Sequence, residues 1–237
     1  MRLHLVHAHP ETDSFVAAMR DTVIETARAG GAEVTLSDLY AMRFNPVLSA
    51  ADFSERENPD HLTYALEQRH NFAKRTLAPD IQAEAEKILA ADVLGFTFPL
   101  FWFGPPAILK GWIDRVFLSG PFFGGKRIYG KGGLAGKRAF AAISMGARPE
   151  MFGPDAIFGE LESGMLRHFL HGSLGYVGLT VHKPFFAHRV PYVDAAERTA
   201  MLGRLAEYVR TLERQPLVEM PDLARFDDRM IPLKGNG

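Results

Sequence analysis

The chain has 237 residues, 47% of them apolar and 23% charged, the balance of a folded globular protein rather than of a disordered or membrane chain. Its 27 basic and 28 acidic residues leave a net charge of −1, too weak a field to hold nucleic acid or an anionic lipid surface, and no apolar run approaches the ~20 residues of a membrane span. Cysteine is absent, which removes disulfides, iron–sulfur clusters, thiolate zinc sites and cysteine redox chemistry together, so a redox function has to borrow a cofactor.

Leu3 to Ala8 reads as a short strand, the loop His9 to Ser14 follows, and Phe15, Met19, Val23 and Ala27 predict a helix stopped by Gly30-Gly31. Glu33 to Ser37 reads as a second strand. Residues 41 to 79, broken by Asn45-Pro46, Asn58-Pro59 and Ala78-Pro79, read as an irregular excursion with short patches of helix. Ile81, Ala85, Ile88 and Leu89 mark one face of the next helix, and Asp92 to Phe98 is the nearly unbroken apolar run of a central parallel strand. Pro105-Pro106 open a helix striped by Ile108, Leu109, Trp112, Ile113, Val116 and Phe117. Gly120 to Gly136, with seven glycines, reads as a surface loop whose backbone can approach a ligand. Arg138 to Met145 is a fourth core strand. A helix around Phe158 to His171, a strand around Thr180 to Ala187 and a last helix opened by Asp194 and Glu197 complete an alternation that predicts a parallel sheet with crossover helices. The domain spans residues 1–215, and the Pro-punctuated tail 216–237 is expected to be extended.

In an open α/β sheet, ligands bind beyond the carboxyl ends of the strands. Three loops occupy such positions: His9 to Ser14, Pro99 to Gly104 and Ser144 to Pro149. The N–H groups of Ser14, Phe15 and Val16 open a helix and suit either a phosphate or an ordinary cap; the G-x-G-x-x-G and G-x-x-x-x-G-K patterns are missing. Three adjacent aromatics, Phe101, Trp102 and Phe103, are costly to leave in water. A planar heteroaromatic ring would cover them, and so would core packing or a dimer interface. Gly146 and Ala147 can present backbone N–H groups to a developing negative charge. His7 and His9 lack a third ligand nearby, so no metal is expected, and no G-x-S-x-G elbow supports hydrolysis.

The stretches SDLYAMRFNP, from Ser37 to Pro46, and FPLFWFGPPAILKGWIDRVF, from Phe98 to Phe117, resemble the NAD(P)H:quinone oxidoreductase family. With Leu5 to Phe15 and the order of later elements, the resemblance covers residues 3 to 215. It implies a flavodoxin-like three-layer sandwich with a five-stranded parallel sheet and helices on both faces. It also implies a homodimeric enzyme that binds FAD without a covalent link, in preference to FMN; separately, with no apolar run of membrane length, a cytoplasmic protein is expected. NAD(P)H is then the co-substrate and a small molecule such as a quinone the acceptor.

By motif position, the resemblance assigns His9, Ser14, Phe15 and Val16 to the FAD pyrophosphate and ribityl region. Leu100, Phe101, Trp102 and Phe103 fall on the isoalloxazine, and Ser144, Met145, Gly146 and Ala147 on its pyrimidine side. Arg198 and, less directly, Tyr64 fall at the adenosine end. Where vertebrate members have a Tyr and a His assigned to the reduced flavin, this chain has Phe152 and Phe158; where they have two substrate-facing tyrosines, it has Phe123 and Gly125. The acceptor pocket therefore departs from the family. Help for an anionic ring must come from elsewhere, either the side chain of Arg148 or the backbone around Gly146. An azo- or nitro-reductase, or a flavin-bearing regulatory subunit, fits the same pattern.

Overall fold

Both faces of the central strands are apolar, and each strand is followed by a helix that covers one of them. In the computed structural model, which describes residues 1–233, β1 (Arg2–His7), β2 (Glu33–Asp38), β3 (Val93–Pro99) and β4 (Arg138–Ser144) pair in parallel in the order β2-β1-β3-β4. The sheet ends on β5 (Thr180–Val181), with β6 (Phe185–Ala187) pairing farther along the same edge of β4. α1 (Phe15–Ala29) and α6 (Ala195–Arg210) pack together over Leu3, Leu5, Phe140 and Ala142. α2 (Tyr64–Lys74), α3 (Pro79–Ala90), α4 (Ala107–Val116) and the single turn α5 (Arg167–Phe169) belong to the other layer, over Val6, Leu94, Phe96 and Ile143.

Four expectations are corrected. The strand expected at 180–187 splits in two: Pro184 has no N–H to give, and the Lys183 N–H turns to Pro216 O in the tail. The helix expected at 158–171 begins at Leu161 and runs as two π-helical segments, Leu161–Met165 and Leu170–Gly175, on either side of α5. In α3, Leu89 points outward while Glu84 is fully buried. Glu84 tolerates this because it accepts from Trp112 Nε1 at 2.8 Å, Ser37 Oγ at 2.9 Å and Lys87 Nζ at 2.5 Å. The tail is not simply extended: Val218 N–H bonds Val181 O, so residues 216–218 cover the edge of β5, and a 3₁₀ turn follows at Leu223–Arg225. Residues 234–237 of that tail lie outside the described residues.

The excursion is tied to the sandwich by one buried cation. Arg115 of α4 donates to Asp52 Oδ1 at 2.7 Å, Asp80 Oδ2 at 2.6 Å and Asn45 O at 2.8 Å. Burial alone would raise the Asp52 carboxyl, but hydrogen bonds from Arg115 and Tyr64 outweigh it and hold it below the ordinary range. One turn earlier, Gly111 lies against Pro46, where a Cβ would fall 2.2 Å from the Pro46 carbonyl oxygen.

Candidate active site

At the carboxyl end of β1, Ser14 caps α1: its Oγ accepts from Ala17 N and its carbonyl from Ala18 N, both at 3.1 Å. That leaves the N–H groups of Phe15 and Val16 without an acceptor among the described residues. His9 Nδ1 lies 3.0 Å from the Glu11 N–H and 3.1 Å from the Glu11 carbonyl oxygen, which pins the ring over the start of the loop. The end of β1 therefore gathers two unpaired amide donors, with the His9 ring beside them.

Beyond β3, Leu100 N–H bonds Ser144 O, and Phe101 and Gly104 exchange two backbone hydrogen bonds of 3.0 Å. The two residues enclosed by that turn, Trp102 (φ 49°) and Phe103 (φ 60°), are both left-handed, a conformation aromatic side chains adopt only against strain. The turn pushes Trp102 out until it is 98% exposed; Phe101 and Phe103 stay partly exposed. Phe103 leans edge-on against Phe158, and Phe158 meets Phe152 at a tilt, with ring centroids 5.1 and 5.6 Å apart. These rings form an apolar wall without a hydrogen-bond donor.

Beyond β4, Ser144 and Met145 are buried and the chain is stitched to the segment after β6. Met145 O accepts from Val190 N–H at 3.1 Å, and Ala147 O from Arg189 N–H at 3.2 Å. In a trans peptide the N–H points opposite to the C=O. With both carbonyls held on the β6 side, the N–H groups of Gly146 and Arg148 point towards the β3 side, and neither has an acceptor among the described residues. Arg148 itself is exposed. The geometry thus selects the Gly146 and Arg148 amides, one residue removed from the Gly146 and Ala147 pair expected from the sequence.

The other expected residues are not all brought together. Tyr64 donates to Asp52 Oδ2 at 2.5 Å and packs on Phe53, which leaves it no free donor, and burial with that carboxylate pushes its hydroxyl far above the ordinary range. Arg198 is exposed in the first turn of α6. Phe123 packs on Tyr176, away from the Phe103–Phe158–Phe152 wall, and Gly125 is left-handed (φ 57°) in the same glycine-rich loop. One residue was missed. His188, at the end of β6, lies against Phe152 with ring centroids 6.1 Å apart and donates from Nδ1 to Ala147 O at 3.3 Å. Nothing in its local sequence distinguishes it from the other scattered histidines.

A family described as having a flavodoxin-like fold matches residues 1–210. The chain is 35% identical to ribosyldihydronicotinamide dehydrogenase (quinone) of Mus musculus over 216 residues, 89% of this chain and 91% of that protein. It is 34% identical to NAD(P)H dehydrogenase (quinone) 1 of Rattus norvegicus over 222 residues, 93% of this chain and 81% of that one. The chain belongs to the NAD(P)H:quinone oxidoreductase family. A solved structure of a putative quinone reductase from Klebsiella pneumoniae superposes with a TM-score of 0.87 at 35% identity, covering 92% of this chain and 87% of that chain.

Proposed function

We propose that the protein is an FAD-dependent NAD(P)H:quinone oxidoreductase that works by two-electron, ping-pong transfer. The observation that carries the flavin is Trp102. An almost fully exposed indole on a strained turn, beside amides without acceptors, has no role inside one protomer, and a planar ring with a hydrogen-bonding edge satisfies both features. The donor set fits: flat apolar surface at Leu100 to Phe103, N–H groups at the pyrimidine edge, and helix-start N–H groups for the pyrophosphate.

The chemistry a flavin would supply when held here is two-electron transfer between NAD(P)H and an acceptor. The chain's own part is positioning and charge stabilisation. Trp102 and Phe103 would orient a flavin ring, and the Gly146 and Arg148 N–H groups would donate to an electron-rich edge of it. The Phe15 and Val16 N–H groups, with the His9 ring beside them, would hold a pyrophosphate, and Arg198 would serve the adenosine end. Phe152 and Phe158 exclude water and give no proton, so the backbone carries the stabilisation. Phe123 and Gly125, in the glycine-rich loop, contribute to the acceptor pocket of a second copy, and a homodimer also covers Trp102, Ile157 and Tyr192.

Heat-released cofactor, identified by chromatography, tests the first claim, and steady-state NADH and NADPH oxidation with a panel of quinones tests the second. Release of FMN alone, or colourless protein that takes up no added flavin, refutes the FAD assignment. Light scattering at twice 26.3 kDa is expected for the dimer.

A further inference from the structure

The replacement of polar side chains by Phe152 and Phe158 leaves the question of what holds the Gly146 to Arg148 backbone in register. Four bonds from the segment 187–190 do so. Three are backbone: Met145 N–H to Ala187 O, Val190 N–H to Met145 O and Arg189 N–H to Ala147 O. The fourth is His188 Nδ1 to Ala147 O. A carbonyl only accepts, so the imidazole proton is on Nδ1; burial lowers the ring below its ordinary pKa, which keeps it the neutral tautomer that makes this bond. The ring is clamped between Phe152 and Phe186, with centroids 6.1 and 6.0 Å away. Through Phe152 it joins the row of rings that runs over Phe158 to Phe103. His188 is therefore the polar end of the wall that crosses from β6 to the aromatic turn beyond β3.

We infer that His188 is a positioning residue: by holding the Ala147 carbonyl on the β6 side, it aims the Arg148 N–H into the crevice. It replaces through the peptide what a polar side chain at 152 or 158 would do by contact. The inference rests on the flavin reading above, and it makes His188 more important to the reduced than to the oxidised ring, because the aimed N–H meets the edge where charge develops.

The test compares His188→Phe, which keeps an aromatic ring and loses the donor, with His188→Asn, whose amide nitrogen occupies the place of Nδ1, and His188→Gln, whose amide nitrogen corresponds to Nε2 and misses Ala147 O. FAD affinity of the flavin-free protein and the midpoint potential of the bound flavin are measured for each. His188→Phe and His188→Gln are expected to bind FAD about 3- to 10-fold more weakly, the loss of one hydrogen bond. A further 3- to 10-fold loss for the reduced form moves the midpoint about 15 to 30 mV negative. His188→Asn restores both. Amide hydrogen exchange in flavin-free protein reads the same pin without cofactor: Arg189 N–H, which shares the Ala147 oxygen, exchanges faster in the Phe and Gln variants than in wild type or Asn. Wild-type potential in His188→Phe, equal defects in Asn and Gln, or unchanged exchange at Arg189 overturns the inference. Failure of the wild-type protein to bind flavin instead sinks the functional reading, and the exchange result stands apart from it.

Discussion

Phe103 meets Phe158 edge-on, with ring centroids 5.1 Å apart and planes at 63°, across the gap between the β3 turn and the residues that precede the π-helical segment. This contact props one side of the aromatic turn and leaves the next residue, Trp102, bare. The two neighbours differ in burial: Phe103 is packed on Phe158, whereas Trp102 is 98% exposed.

Trp102→Ala is accordingly expected to leave the stability of the flavin-free monomer nearly unchanged, since the side chain is 98% exposed. Its FAD affinity should fall by roughly 1 to 3 kcal/mol, the worth of one stacking platform. Denaturant midpoints and fluorescence titration separate the two effects. Undiminished affinity would return Trp102 to an interface role.

Arg148 allows the side chain and the amide to be told apart. Its φ of −82° is close to what proline requires, and the next residue is already Pro149. Arg148→Pro deletes the N–H and should slow flavin reduction by about 10- to 1000-fold in stopped flow. Arg148→Ala keeps the N–H and should lose much less. The reverse order, with Ala as slow as Pro, would assign the stabilisation to the guanidinium.

The link between Arg115 and Asp52 and Asp80 has no part in the chemistry but positions the excursion. Both Arg115 and Asp52 have side chains only 3% exposed, so removing the cation strands a buried carboxylate. Arg115→Ala should reduce unfolding stability by about 3 to 5 kcal/mol in urea denaturation. A change below 1 kcal/mol would mean that the excursion relaxes and lets water reach Asp52.

Stability should also fall in mild acid. Burial lowers His4 and His7 to a pKa of about 4 from 6.5, against the opposing pull of Glu84 on His4 and of Asp38 on His7. The unfolded chain therefore takes up protons first: stability is whole above pH 6.5 and is lost as the pH falls towards about 4, by at most about 1.4 kcal/mol per pH unit for each histidine. Chemical denaturation at successive pH values shows the slope directly, and His7→Asn should flatten it. A pH-independent midpoint across that window would show that the two rings stay accessible to water.

Much of the fold was legible because its signals are local. The apolar run before Pro99, the four-residue spacing in α1 and the Asp194 cap each act within one element, and the motif from Phe98 to Phe117 pointed to the family. The errors fall where a distant residue decides. Leu89 and Glu84 share a helix, and only Trp112, Ser37 and Lys87 make the acid the buried one. The strand at 180–187 divides because the tail at Pro216 takes the Lys183 N–H.

The sequence by itself determined the alternating α/β order, the absence of thiol chemistry and the three loops at the strand ends. Only the tertiary structure decided which peptide groups face the crevice. Trp102 is bare because Phe101 and Gly104 close a left-handed turn beneath it. Gly146 and Arg148, rather than Ala147, present their N–H groups because Val190, Arg189 and His188, some forty residues later, hold the intervening carbonyls on the other side. A planar peptide leaves its N–H no choice once its C=O is bound, and that binding depends on a strand pairing that residue spacing does not encode.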